Sequence, residues 1–500
     1  MKKLLLFMLG VLMALPAFAQ DFTYEYEGQT LNYTVLDEDA KTVMVSGTSV
    51  SGDLMIPAIV KNGDTEYSVN YIDSYAFCSC SSLTSVVIPN TVTSIGSLAF
   101  DACLGLTSIV IPESVTSIGD ATFSNCIGLT SIDLPNSVNS IGWSTFVGCI
   151  GLTSIVIPES VTSISPWTFY GCSGLTSLIV PNSVKTIGEN AFLDCISLKE
   201  VILGNSVETI DNDAFCECPL DRVAILNPDI TIATSAFNRN IYWLFCPEEF
   251  DASSIPALHV IRFNPEGGIT FLEDGTVLGD NGETLLKAPI AETLESYSIP
   301  DGVVTIKSDA FDFDLRDWGN ATIPASWGSI TIPASVAVVE ADAFASINFE
   351  RVNFVDWTKW YENVKFGNLE SNPYRNCGAY AGGVKITAPE LKEGMTEIRD
   401  YVNCGLEYKD EVELPSTLKR IGAYAFYNNT ELYSVILPDG LEEIGESAFQ
   451  GCGLLENQTF PASLKKIEDA AYRGCSSLTE VELPEGLNSL GNAVFAGCGI

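Results

Sequence analysis

Fifteen cysteines carry the first candidate chemistry in this 500-residue chain: disulfide formation, metal ligation or a reactive thiol. Ten of them, Cys80, Cys103, Cys126, Cys149, Cys172, Cys195, Cys218, Cys452, Cys475 and Cys498, fall at one position of a repeat. If the repeats stack as coils, equivalent Cα atoms lie about 4.8 Å apart, within disulfide range, but with side chains parallel rather than facing. The column is therefore expected to be a buried file of small apolar groups with weak S–H donors. Asn428 and Asn429 stand where it would continue, which is compatible with a buried polar turn contact. Cys78, Cys216, Cys246, Cys377 and Cys404 lie off the column. Cys377 with Cys404 is the pair best placed for a disulfide, since both flank an aromatic insertion. Cys78-Ser-Cys80 and Cys216-Glu-Cys218 are too close and too isolated for a zinc site. No basic cluster stands beside a cysteine to activate it.

His259 is the only histidine, which removes most metallohydrolase, Ser-His-Asp and Cys-His schemes. Within ALHVIRF it reads as a packed residue rather than a base. Paired carboxylates of the glycosidase kind need no histidine, but among 64 acidic residues some pair always exists. Asp309, Asp312, Asp314 and Asp317 invite a Ca²⁺ reading, yet their spacing is not that of a cation loop, and a solvated acidic turn is expected. Trp357, Trp360, Tyr361 and Phe366 are read as packing the insertion rather than as a sugar-stacking platform. Neither a metal nor a cofactor is expected, and no motif names a nucleophile or base.

The element that positions these residues is a repeat. Residues 83–105, LTSVVIPNTVTSIGSLAFDACLG, recur almost verbatim from Leu106, Leu129, Leu152 and Leu175. Prolines at 89, 112, 135, 158 and 181 keep a strict period of 23, and the period returns at 415, 438, 461 and 484. A fixed period in this range with an L-x-x-I-x-I core predicts a leucine-rich solenoid. In each coil a short strand (Leu83, Val86, Ile88) lines one face, and proline ends it for want of an N–H. Val92 and Ile95 suit a second wall. The glycine that follows, as at 96, 119, 142, 188, 422, 445 and 491, suggests a corner with positive φ. Ala99, Phe100 and Cys103 predict a short helical or 3₁₀ segment on the outer side. One coil alone cannot bury these residues; stacked coils can, at roughly 1.5–3 kcal/mol per large side chain.

Around the repeats the chain divides as follows. Residues 1–19 carry two lysines, an apolar run and Ala17-Phe18-Ala19, a secretory signal cleaved after Ala19. Residues 20–53 alternate as a small β cap, 54–240 form a first array with a hairpin about Asn62-Gly63, and 241–297 lose the period but hold a hairpin about Asn281-Gly282. Residues 298–408 are degenerate repeats with the aromatic insertion, and 409–500 are a second array that stops in mid-coil, so either more chain or another body is expected to cover that end. Sixty-four acidic against 25 basic residues give a net charge of −39, which argues against nucleic acid and anionic membrane surfaces. No run after the signal is long enough to span a bilayer.

Strand parity exposes a face of Thr84, Ser85 and Val87; Thr107, Ser108 and Val110; Thr130, Ser131 and Asp133; Thr153, Ser154 and Val156; Thr176, Ser177 and Ile179. In the last array the same places are Asp410, Glu411 and Glu413, then Tyr433, Ser434 and Ile436, then Glu456, Asn457 and Thr459, then Thr479, Glu480 and Glu482. One end is thus neutral and mildly apolar, the other acidic. Such a face reads either as a binding surface or as duplicated strand text kept for solubility and β-propensity.

The IP-x-S-V-T-S-I-G-x-x-A-F-x-x-C-x-x-L text, with IPAIVKNGDTEYSVNYIDSYAFCSCSSL and SNPYRNCGAY, resembles the BspA-like leucine-rich repeat surface proteins over about four fifths of the mature chain. The resemblance implies a cell-surface or secreted protein that adheres to host matrix or microbial macromolecules, protein or glycan; it carries over no catalytic or ligand residue. The expected function is non-enzymatic binding through the sheet face. A passive spacer for a C-terminal module and a carbohydrate-active enzyme are the alternatives.

Overall fold

The computed structural model describes residues 21–47, 49–272, 274–289, 295–308, 310–312, 327–387 and 391–500. The expected signal at 1–19, together with Asp309, Asp314 and Asp317, lies outside them. The chain forms two compact units, 1–265 and 266–500, each a stack of coils with short parallel strands.

In the first unit, strands Asp21–Tyr26, Gln29–Asp37 and Thr42–Val45 pair antiparallel as a cap that buries Leu31, Tyr33 and Val35. The cap joins Thr65–Ile72 in parallel, and from there a wall of two-residue strands runs through Ser94–Ile95, Ser117–Ile118 and Ser140–Ile141. The opposite wall starts at Gly52–Met55, continues through Leu83–Val87 and Ser108–Val110, and resumes as Ser177–Val180, Glu200–Leu203 and Arg222–Ile225. Register is 23 residues per coil, so Ser85 lies beside Ser108 and Val86 beside Ile109. Inward Leu106, Ile109, Ile111, Val115, Ile118, Phe123 and Cys126 recur in every regular coil and form one continuous core. Down its middle Phe77, Phe100, Phe123, Phe146, Phe169, Phe192, Phe215 and Phe237 stack with ring centroids 5.1–5.6 Å apart.

Three local expectations are corrected. The outer side is a run of turns rather than a helical segment. Leu98 (φ 58°) and Ala102 (φ 55°) are left-handed, and this makes alternate N–H groups point along the stack: Leu98, Phe100 and Ala102 donate to Asp120, Thr122 and Ser124 of the next coil at 2.8–2.9 Å. The intervening Asp101 and Cys103 close turns within the coil instead. A left-handed L-residue costs about 1–2 kcal/mol, which the intercoil bonds and the buried Phe100 offset. Second, the corner glycines have ordinary φ; they are there because a Cβ on Gly119 would sit 2.6 Å from the Ser97 nitrogen of the previous coil. Third, Asn62 pairs with Thr65, so the hairpin turns on Gly63 (φ 61°) and Asp64, one residue later than expected.

The stretch read as irregular also contains structure. Ile241–Cys246 and Ala257–Arg262 extend the first unit's sheet in parallel, and Ile241, Leu244 and Cys246 join its core without the repeat text.

The second unit opens on its own antiparallel set, Ile269–Phe271, Val277–Gly279 and Thr284–Lys287, with the hairpin at Asp280–Gly282 where it was expected. Thr284–Lys287 then leads in parallel to Thr305–Ile306, Val338–Val339 and Lys365–Phe366. The other wall holds Ser296–Ser298, Trp327–Ile332, Phe349–Phe354 and Gly378–Ala381. Helix Trp357–Asn363, capped by Asp356, folds the insertion inward: Trp360 and Tyr361 are buried, and the Tyr361 hydroxyl donates to Asn403 Oδ1 at 2.9 Å. Regular coils follow, with strands Glu397–Ile398, Arg420–Ile421, Glu443–Ile444, Lys466–Ile467 and Ser489–Leu490 in register. No helix among the described residues is long and apolar enough to cross a membrane.

Candidate functional site

The sheet face of the first unit follows from strand period alone. Leu83, Val86 and Ile88 point inward, so Thr84 and Val87 point out, and the same parity holds at Leu106–Ile111, Leu129–Leu134, Leu152–Ile157 and Leu175–Val180. Val110 is 60% exposed, Val156 74% and Ile179 66%, values unusual for β-branched residues and repeated in a line. Thr84, Thr107, Ser108, Thr130, Ser131, Asp133, Thr153, Ser154, Thr176 and Ser177 are exposed around them, and Ser85 is half-buried.

The hydroxyls are not all free to donate. Thr107 donates to the Thr84 carbonyl at 3.1 Å, and Thr153 to that of Thr130 at 3.3 Å, which ties the threonine row to the coil beneath and leaves its oxygens as acceptors. At the first coil Asp53 Oδ1 accepts from both Ser85 (2.6 Å) and Thr84 (2.8 Å). These two hydrogen bonds, Ser85's first, hold the Asp53 carboxyl below its ordinary value. Asp53 was not singled out from sequence; its register opposite Ser85, set by Gly52–Met55, is what brings it there. The sheet is also uneven. Val110 meets Asp133 only through an isolated bridge, and the next coil, at 152–157, carries no strand, so the ladder thins at the lone acid and lapses beyond it.

In the last array Glu411, Glu413, Glu456, Glu480 and Glu482 reach outward beside exposed Tyr433 and Ile436, while the Asp410 side chain lies outside the described residues. The Tyr433 phenol is held above its ordinary value by its hydrogen bond to Glu456. The opposite wall of the same coils carries paired charge: Lys465 meets Glu442 at 2.6 Å and Lys466 meets Glu443 at 3.2 Å. Among the described residues Glu411, Glu413, Glu480 and Glu482 make no ion pair, so this face keeps a negative potential.

The other candidates resolve into packing. His259 stacks on Trp243, centroids 4.3 Å apart, on adjacent parallel strands. Each column thiol below the first donates to a carbonyl of the coil beneath, as Cys149 Sγ does to Phe123 at 3.1 Å. Asn429 takes the same place in the second unit and donates to the Asn403 carbonyl at 3.3 Å, the polar contact its position implied. The expected Cys377–Cys404 disulfide is not formed: Cys377 is directed at the Pro373 carbonyl, and Cys404 is buried beneath Asn372, which donates to its carbonyl. Asp312 accepts from the Ser346 hydroxyl at 3.1 Å, a turn contact.

A family model described as the BspA type leucine rich repeat region matches residues 60–176, 117–244 and 379–500. Among solved structures the chain is similar to a leucine-rich repeat protein from Bacteroides ovatus, at 20% identity over 95% of this chain and 92% of that one, with a TM-score of 0.35. It is similar to the leucine rich repeat protein of T. pallidum at 30% identity over 38% of this chain and 86% of that one, TM-score 0.35. A leucine rich cell surface protein from Faecalibacterium prausnitzii shares 21% identity over 92% of this chain and 99% of that one, TM-score 0.32. None of the curated proteins matches the chain.

Proposed function

We propose, for a chain that belongs to the BspA-type leucine-rich repeat family, that it is an exported, non-enzymatic binding protein engaging a protein or glycan on a host or microbial surface through its sheet face. The observation that carries this reading is the line of exposed Val87, Val110, Val156 and Ile179 between rows of short hydroxyls. Apolar side chains repeated in register on a face of low charge, in a chain of net charge −39, are a feature that interaction surfaces show and solubility alone does not call for. Serine and threonine lose little side-chain entropy on binding, and five coils at about 4.8 Å spacing give a strip roughly 20 Å long, enough for an extended peptide or one face of a domain. The signal-like text at 1–19 supports export, and the repeat architecture supports binding over catalysis.

The test is Val110→Glu combined with Val156→Glu in the full chain. Both residues point away from the core, so the melting temperature is expected to stay within a few degrees of the parent, while affinity for matrix proteins or glycans that the parent binds falls. Loss of folding, or unchanged binding by a folded variant, refutes the sheet face as the contact surface.

A further inference from the structure

The turn wall of the first unit carries a second surface. Coils 106–128 and 152–174 are copies: residues 106–118 and 152–164 both read LTSIVIPESVTSI. They part at the turn wall, where GDATFSN (119–125) faces SPWTFYG (165–171). The coil between them carries Trp143 at the place where Ser97 and Asp120 stand in the preceding coils. Between the two copies the strands are unaltered and the turn gains Trp167 and Tyr170, whereas the coil that carries Trp143 also differs in its strand text, at Asp133 and Asn139.

Trp143 is 61% exposed and Trp167 37%. They flank one intercoil hydrogen bond, from the Ser144 N–H to the Pro166 carbonyl at 3.2 Å, so the two tryptophans arise from adjacent coils. The Tyr170 ring meets Trp167 edge-on at 5.2 Å and 73°, which braces the indole. Each backbone is held: Trp143 N–H donates to Asp120 Oδ1 at 2.8 Å, and Trp167 N–H to the Glu189 carbonyl at 3.0 Å. The rim is acidic, with Asp120 and Glu189 exposed. Over positions 96–194 the single basic residue is Lys185, which is paired with Glu208 at 2.9 Å.

We propose that Trp143, Trp167 and Tyr170 form a platform that binds an uncharged glycan, independently of the sheet face. The negative π face of an indole attracts the C–H face of a pyranose ring, and an aromatic side chain, with two χ angles, loses little entropy when it binds. Exposed carboxylates beside them accept sugar hydroxyls, and the lack of an available cation disfavours sulfated or sialylated chains.

The experiment measures binding of the full chain to soluble β-glucan, galactan and arabinoxylan, with heparin as an anionic control, by affinity electrophoresis and tryptophan fluorescence. The variant is Trp143→Ser with Trp167→Ala. Ser97 already occupies the first place, and Ala121 is left-handed (φ 52°) at the second, so neither change asks anything new of the backbone. Expected is binding of at least one neutral glycan with a fluorescence change, weakened by roughly tenfold or more in the variant. Trp143→Phe with Trp167→Phe is expected to retain most of it, and Val110→Glu with Val156→Glu to leave it unchanged. The proposal is overturned if the parent binds none of the neutral glycans, if heparin is preferred, if the Ser/Ala variant binds as the parent does, or if only the valine variant loses binding. It is equally overturned if the aromatic variant instead dissociates a dimer of the parent, which would make the patch a contact between two copies.

Discussion

Cys126 places its Sγ 3.2 Å from the carbonyl oxygen of Phe100, 26 residues earlier and one coil beneath. The same contact recurs at 3.1–3.2 Å from Cys103 to Phe77, Cys172 to Phe146, Cys452 to Phe426 and Cys475 to Phe449. Each thiol is thus aimed at a backbone oxygen rather than at the next thiol, and the column is a file of weak hydrogen bonds that satisfies turn carbonyls inside the core.

Those thiols are expected to be sealed and protonated. Burial pushes Cys149 and Cys475 from an ordinary 9.0 up to about 12, and does the same to Cys404 off the column. Because the folded value is raised, the associated stability is present in full below about 9 and is lost as pH climbs towards 12, where an unfolded chain would release the protons. Each thiol contributes a slope of at most about 1.4 kcal/mol per pH unit in that window. A thiol reagent at neutral pH should react first at Cys78, Cys216, Cys377 and Cys498, which are partly exposed, and should find all fifteen only after denaturation without reductant. Melting curves that stay flat from pH 8.5 to 11 would contradict this account.

Gly142→Ala should destabilise the first unit by about 1–3 kcal/mol, since a Cβ there would lie 2.5 Å from the Asp120 nitrogen and must push neighbouring coils apart. Gly171→Ala should cost less, about 1 kcal/mol, because its nearest neighbours are 3.9 Å away and only the left-handed φ of 69° resists. Denaturant titration of the two variants checks the order; the reverse order would mean that turn strain, not coil approach, selects glycine at the corner.

Asn429→Cys should stabilise the second unit by about 1 kcal/mol. Asn429 makes the column's contact to the Asn403 carbonyl but buries Oδ1 with no partner, whereas a thiol makes the contact and leaves nothing unsatisfied. A lower melting temperature for the variant would show that Oδ1 has an occupant worth more than its removal.

How far the text of the chain reaches can be followed residue by residue. Period and parity located Val110, Val156 and Ile179 on the outer face and Phe123 and Cys126 in the core, because burial in a stacked coil depends only on which way successive residues point. Asp53 was invisible because it stands outside the repeat text, 31 and 32 residues before Thr84 and Ser85, and only the pairing of Gly52–Met55 with Leu83–Val87 brings them together. Leu98 and Ala102 gave no sign of being left-handed, since neither residue favours that conformation; the hydrogen bonds of the next coil impose it.

The sequence alone determined the solenoid, its register and the inward set, for a 23-residue repeat that cannot bury its own apolar side chains has to stack on its copies. Tertiary contact alone decided the turns and the fate of each aromatic. Gly119 is glycine because a Cβ there would lie 2.6 Å from the Ser97 nitrogen of the neighbouring coil, an approach no local propensity encodes. Trp360 and Trp143 are the same residue type, yet the first is sealed beneath Phe354 and Phe366 while the second stands in solvent on a turn, because one belongs to an insertion that must cover its own coil and the other to a coil whose core was already filled by Phe146.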